Sequence, residues 1–258
     1  MTSATNADRV LTVSVSGGAA RLTLDSPANR NALSRAMRAQ LTDALTAALA
    51  DDAVRVVVLD HTGRVFCSGM DLTEATGAAA GDQGVTEFPA LLSLLWTSPK
   101  PVVAVVRGPA RAGGIGLLAA CDVVVAGAAA TFALSEVRLG LVPGVISAVV
   151  RPRMHPAALH RLALTGEVFG AAEAAAAGLV DLAVPDDEVD ATVAAEVTAL
   201  AAGSPTALAE TKRLLRGAGA PDFGPLQELS ARFFASEEGQ EGIAAFRQKR
   251  RPRWVPAD

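Results

Sequence analysis

The chain has no tyrosine, two cysteines, three histidines and two tryptophans in 258 residues. These scarcities close several routes to function. Cys67 and Cys121 lie among apolar neighbours without a Cys-x-x-Cys spacing, and His61, His155 and His160 form no His-x-x-x-His pair. A metal site is therefore not expected, and two reduced, buried thiols fit a cytoplasmic protein. A Gly-x-Ser-x-Gly nucleophile elbow is absent. No apolar run approaches the roughly 20 residues that span a bilayer, and MTSATNADRV lacks the basic-then-apolar order of a secretory signal. Charge of one sign is missing too: Lys+Arg 23 against Asp+Glu 27 gives net −4, so no basic field exists to gather nucleic acid. Neither nucleic acid nor membrane is an expected partner.

What the chain does have is apolar residues, at 50% against 19% charged, which excludes disorder. Residues 10–16 and 19–24 alternate around Gly17-Gly18 and predict a β-hairpin. Ser34 then caps a helix carrying Met37, Leu41, Leu45 and Leu49 on one face. The runs 54–59 and 101–106 are uniformly apolar and predict strands buried on both faces. A helix is expected over 88–96, a short buried one over 115–121, and strands over 122–125 and 131–133. The Gly/Ala-rich stretch 76–84 reads as a mobile loop. From Ile146 onward the signal is almost wholly helical, with helices near 156–164, 171–177, 186–202, 204–216 and 225–248. Strands alternating with helices, followed by helices alone, predict an α/β core with a helical C-terminal appendage.

Three constellations could carry chemistry. Gly114-Ile-Gly116-Leu-Leu-Ala119 satisfies Gly-x-Gly-x-x-Ala, the dinucleotide fingerprint. The preceding strand ends near Val106, too early for the first glycine to form the tight turn after it, and no acid is placed for a ribose. Consecutive glycines entering a short helix instead leave backbone N–H groups open at the positive end of its dipole, where an oxygen gaining negative charge is stabilised. Close backbone packing without a ligand is the alternative. The second constellation, Val65-Phe-Cys67-Ser68-Gly69-Met70-Asp71-Leu72, leads from a strand end through small residues and by itself is a tight turn. The third is Glu136, a lone carboxylate among apolar residues. Desolvation should raise its pKa and suit it to proton transfer; the alternative is a structural pair with an arginine such as Arg138. The terminal cluster Arg247, Lys249, Arg250, Arg251 and Arg253 is either a solvated helix end or an anchor for a phosphorylated ligand.

Together and in this order, these segments resemble the enoyl-CoA hydratase/isomerase (crotonase) superfamily. The resemblance runs the length of the chain, from Pro27-Ala-Asn-Arg-Asn31-Ala-Leu33 through FCSGMDL, GPARAGGIGLLAACD and SEVRLGLVPG to AAEAAAAGLVD and EGIAAFRQKRRPRW. It implies a spiral of ββα turns over 1–195 holding a coenzyme A thioester site. Residues 196–258 become a helical region for assembly and CoA contact, building a homotrimer or a dimer of trimers. The thioester oxygen would lie between the backbone N–H groups of Met70 and Gly113, with Glu136 as acid/base. The adenine pocket would follow the backbone of Cys67, Ser68, Gly69, Met70 and Asp71. Ala32, Leu72, Gly114 and Gly116 fall in the same binding segments. Arg30 falls where a basic residue often meets the CoA phosphates, and Phe246 with Lys249 matches a contact made by a neighbouring subunit. No separate cofactor is implied, because coenzyme A is part of the substrate.

One departure matters. Hydratases of this family normally hold the attacking water with two glutamates; one matches Glu136, but Gly116 stands where the other falls. The expectation is a hydratase adding water to a 2-enoyl-CoA. An isomerase moving a 3-double bond to the 2-position with Glu136 alone, and a non-catalytic acyl-CoA-binding protein, are the alternatives. A second acid could come from Glu74 or Glu87. The stretch AGGIGLLAACD with SEVRLGLVPGVIS resembles a branch near hydratases of 3-methylglutaconyl-type thioesters, which shares this glycine. In that context Arg111 could reach a carboxylate on a glutaconyl-type acyl chain.

Overall fold

The computed structural model describes residues 9–74, 87–217 and 219–256. Strands β1 (Leu11–Ser16) and β2 (Ala19–Leu24) pair antiparallel across Gly17 and Gly18, at φ 57° and 76°. Two positive φ values in a two-residue turn match the right-handed twist of the flanking strands, which is why a Gly-Gly pair sits there. Helix α1 (Arg35–Ala50) starts where the Ser34 hydroxyl accepts the Met37 N–H at 3.2 Å, and it buries Met37, Leu41 and Leu45.

Next come β3 (Val56–His61), α2 (Glu87–Thr97), β4 (Val102–Val106), β5 (Ala110–Arg111), α3 (Gly113–Ala120), β6 (Val123–Gly127) and β7 (Thr131–Ala133). A 3-10 turn at Glu136–Leu139 leads to α4 (Gly144–Arg153), α5 (Pro156–Thr165), β8 (Phe169–Gly170), α6 (Ala171–Ala176) and β9 (Leu182–Val184). The chain closes with α7 (Val189–Ala201), α8 (Pro205–Arg216), α9 (Gly224–Phe234) and α10 (Glu237–Arg247).

The large sheet has the order β1-β2-β3-β4-β6-β9 and is parallel except for the hairpin; β5, β7 and β8 form a second, small sheet. From β4 and from β6 the chain continues into a short strand of the small sheet and then into helical structure, as in β4–β5–α3. The central strands are buried on both faces. Val57, Leu59 and Ala104 face the core under α1–α3, whereas Val58, Val103, Val105 and Val125 pack on Val189 and Val193 of α7. This two-sided burial is why the sequence shows unbroken apolar runs there instead of alternation.

The mixed α/β architecture matches the sequence expectation, with four differences. The region after Ile146 is not wholly helical: β8 and β9 lie within it, two and three residues long, too short to carry a periodic signal. The single helix expected over 225–248 is two, because the chain turns at Ala235-Ser236 and the Ser236 hydroxyl caps α10 by accepting the Gly239 N–H at 3.0 Å. Strand β3 runs on to Asp60 and His61, polar residues that stay buried because Arg21 and Arg107 pair with Asp60, and the Arg107 N–H donates to His61. The boundary expected at 195/196 falls inside α7. The loop expected over 76–84 lies outside the described residues.

Candidate functional site

Two tight turns meet side by side. Cys67 forms a parallel bridge with Ala110, and the Arg111 N–H donates to the Cys67 carbonyl at 2.9 Å. Gly69, at φ 90°, lies so close to the second turn that a Cβ there would be 3.1 Å from the Ala112 Cβ and 3.6 Å from the Gly113 nitrogen. A Cβ on Gly114 would be 2.9 Å from both the Cys67 Cβ and its carbonyl oxygen. The glycines therefore do what the packing alternative required of them, and they do something more. Ala112 adopts φ 47°, ψ −114°, a conformation that disfavours any side chain. Its N–H donates to the Ala133 carbonyl, and its own carbonyl accepts from Ile115, so α3 starts with Gly113 at the cavity wall. Among the described residues, neither the Met70 nor the Gly113 N–H donates to a protein acceptor. Buried amides left unsatisfied would be costly. Here both belong to residues that line an open cavity.

That cavity, about 840 Å³, is walled by Leu139, Leu141, Val145, Ile146, Phe88 and Phe234. Glu136 opens into it at 9% exposure from the start of the 3-10 turn. Its Oε2 has no hydrogen-bond partner among the described residues, so the expected alternative of a pair with Arg138 does not form. Arg138 instead packs beside Gly166. Desolvation pushes the Glu136 carboxyl up to about 7, partly offset by its own backbone N–H. A carboxyl at that value is available both to take and to return a proton near neutrality. Two residues whose N–H groups have no protein acceptor and one carboxyl whose Oε2 is unpartnered thus line one cavity with apolar walls.

Of the residues singled out from the sequence, Arg30, Ala32, Ser68, Met70, Asp71, Leu72, Gly113, Glu136, Phe246 and Lys249 all line this cavity. Arg30 and Asn31 take φ 61° and 52°, held by Asn31, whose Nδ2 donates to the Thr62 and Val65 carbonyls. Cys67, Gly69, Gly114 and Gly116 do not border the cavity; they stand behind its wall as spacers. The Cys67 thiol is fully buried and pushed up to about 12, chemically inert by desolvation.

Phe246 and Lys249 line the cavity of their own chain, where α10 packs on the 3-10 turn. Two further expectations need correction. Glu74 and Glu87 are not second acids, since the Glu74 carboxylate accepts the Arg35 N–H and Glu87 pairs with Arg38. Arg111 borders the cavity, but its guanidinium is engaged by the Ala110 and Thr131 carbonyls and the Thr131 hydroxyl.

Gly116 has a physical partner: a Cβ there would be 2.5 Å from the Ile146 Cγ2. The place a second carboxylate would need is occupied by an isoleucine 30 residues along the chain, which sequence inspection did not connect with it. Ala112 was missed because alanine carries no signal for positive φ. Phe88 and Phe234 looked like ordinary helix-face residues.

Residues 14–256 match the profile described as enoyl-CoA hydratase/isomerase. The chain is 36% identical over 237 residues to the 2,3-dehydroadipyl-CoA hydratase of Escherichia coli, covering 90% of this chain and 92% of that one. It is 35% identical to an enoyl-CoA hydratase of Mycobacterium tuberculosis over 242 residues, 90% of this chain and 91% of the relative. A crystal structure of an enoyl-CoA hydratase from Mycobacterium avium superposes with a TM-score of 0.86 at 42% identity, covering 95% of this chain and 99% of the other. With a profile match spanning nearly the whole chain, and relatives aligned over nine-tenths of it, this protein belongs to the enoyl-CoA hydratase/isomerase family.

Proposed function

We propose that the chain is an enoyl-CoA hydratase adding water across the 2,3-double bond of a 2-enoyl-CoA, working in the cytoplasm as a homotrimer or a dimer of trimers. The observation that carries the reading is the unpartnered Glu136 Oε2 in a cavity also lined by Met70 and Gly113, whose N–H groups have no protein acceptor. The thioester oxygen lies between the two N–H groups. A water oxygen bonds to C3 while Glu136 takes the water's proton; the electrons of the double bond move toward the thioester oxygen as an enolate. Glu136 then returns a proton to C2, so the carboxylate is regenerated and one water is added. Losing one such amide donor typically costs about 3 kcal/mol of barrier. Arg30 and Lys249 meet the CoA phosphates, and the backbone of Ser68, Met70 and Asp71 lies against the adenine. The relatives described as hydratases support water as the second reactant.

A second reading, isomerisation of a 3-enoyl-CoA to the 2-enoyl-CoA, is favoured by the packing of Ile146 against Gly116, which leaves Glu136 to work alone. In that reaction Glu136 removes a proton from C2 and returns it to C4. One experiment separates the two. Crotonyl-CoA and a 3-enoyl-CoA are each incubated with wild type and Glu136→Gln, and products are followed by mass. Hydration yields a product one water heavier, whereas isomerisation conserves mass and moves the double bond. Glu136→Gln abolishes either reaction and leaves thioester binding. Binding without turnover by wild type would identify an acyl-CoA-binding protein instead, and full activity in the variant would remove Glu136 from the mechanism.

A further inference from the structure

Arg38 lies on α1 away from the cavity, with a side chain 3% exposed. An arginine buried this deeply must have its donors satisfied. Its Nη1 donates to the Leu33 carbonyl at 2.5 Å, and its Nε and Nη2 donate to Glu87 Oε2 at 3.1 and 2.7 Å. The same Nη1 is 3.8 Å from the Glu74 carboxylate, which accepts the first N–H of α1.

Both ends of this clamp lead to the oxyanion site. On one side, the Leu33 N–H donates to the Gly69 carbonyl at 2.8 Å and Leu33 forms a parallel bridge with Met70, so Leu33 fixes the peptide carrying the first free amide. The Leu33 side chain also lies against the second: a Cβ on Gly113 would be 2.9 Å from Leu33 Cδ1. On the other side, Glu87 is the first residue of α2, and the next residue, Phe88, packs within 3.5 Å of the Cβ positions of both Gly113 and Gly116. One guanidinium therefore joins the segment that orients Met70 to the helix that abuts Gly113.

We propose that Arg38 is a positioning residue of the oxyanion site, locking Leu33 and the start of α2 in register so that the Met70 and Gly113 amides converge on one oxygen. The inference rests on the thioester reading above. It assigns to the ion pair of a buried guanidinium a role in geometry, since neither Arg38 nor Glu87 lines the cavity. Stabilisation of an oxyanion depends on donors held before the charge arrives, and a displacement of about 1 Å from a distant change can cost about a hundredfold in rate. The loss falls on kcat rather than KM, because the amides bind the enolate more strongly than the ground-state thioester.

The test compares wild type with Arg38→Met, Arg38→Lys and Glu87→Gln by two readouts. The first is kcat and KM for the enoyl-CoA that the wild type turns over. The second is the infrared carbonyl stretch of bound, carbonyl-labelled butanoyl-CoA, which falls in frequency in proportion to the hydrogen bonding at the thioester oxygen. Arg38→Met is expected to lower kcat about ten- to a hundredfold with KM within about threefold, and to return the stretch toward its value in water. Arg38→Lys, which can reach one partner but not both, restores part of each. Glu87→Gln, a change at a half-exposed carboxylate, moves both readouts the same way to a smaller extent and serves if Arg38→Met does not fold. A wild-type stretch lowered on binding, with the same lowering in Arg38→Met or in Glu87→Gln, overturns the positioning role alone. A wild-type stretch that does not move on binding overturns the oxyanion reading and this inference with it.

Discussion

Packing of Ile146 into the space beside Gly116 can be measured as an interaction energy. Gly→Ala in a helix interior ordinarily gains about 1 kcal/mol, because alanine gives up less backbone freedom on folding. At Gly116 the added methyl would sit 2.5 Å from Ile146 Cγ2 and 3.1 Å from its Cβ, with Phe88 Cζ at 3.5 Å. Both α3 and Ile146 are buried, so neither can move freely aside, and overpacking of this kind costs about 1–3 kcal/mol. Gly116→Ala should therefore be neutral to destabilising by about 2 kcal/mol. Ile146→Ala alone should cost about 2 kcal/mol, near the low end for a buried aliphatic, because part of the side chain faces the open cavity. In the double variant the methyl at 116 occupies space vacated at 146, and the two changes should couple favourably by about 1–3 kcal/mol. Urea unfolding of the four proteins at one concentration gives the cycle. Additivity to within about 0.5 kcal/mol would show that Ile146 does not fill this space. The same cycle with Gly116→Glu carries the chemistry: hydration of crotonyl-CoA should rise when glutamate is added to the Ile146→Ala background, and not when it is added to wild type.

Three other outcomes follow from the site. With Glu136 acting as a base, kcat/KM should climb as pH rises through about 7, and a profile flat from pH 5 to 9 would exclude it. The same carboxyl binds its proton more tightly in the folded than in the unfolded chain. Between about 4.5 and about 7 the folded state therefore holds more protons, and stability falls as pH rises across that window. The full effect is about 3 kcal/mol, so Glu136→Gln should be more stable than wild type at pH 8 and no more stable at pH 4, as read by urea midpoints. Finally, Ala112→Gly should stabilise the fold by about 1 kcal/mol by relieving the positive φ without moving the Gly113 amide, raising Tm while preserving kcat.

Local pattern made some of this legible. Gly17-Gly18, the Ser34 cap and the unbroken apolar runs of β3 and β4 each express a rule that acts over a few residues, and the structure follows them. The clustering of the 67–72, 113 and 136 segments was reached through resemblance, because nothing in the individual motifs says that Gly69 touches Ala112. What stayed hidden is long-range or conformational. The Gly116–Ile146 contact joins residues with no shared pattern. Arg38 stands next to Met37 on a helix whose apolar stripe gave no reason to expect a buried cation. Strands of two residues, such as β5 and β8, exist only because the small sheet assembles around them. The return of α10 onto the 3-10 turn depends on Gly242, where a Cβ would collide with the Leu139 backbone, a contact invisible until the helices are docked.

That return has a consequence for truncation. The free amides, the carboxylate, and the phenylalanine and lysine at the far rim all come from one polypeptide. Ending the chain before α10 therefore removes the phenylalanine and lysine from the rim and leaves Glu136, Met70 and Gly113 within the residues that remain.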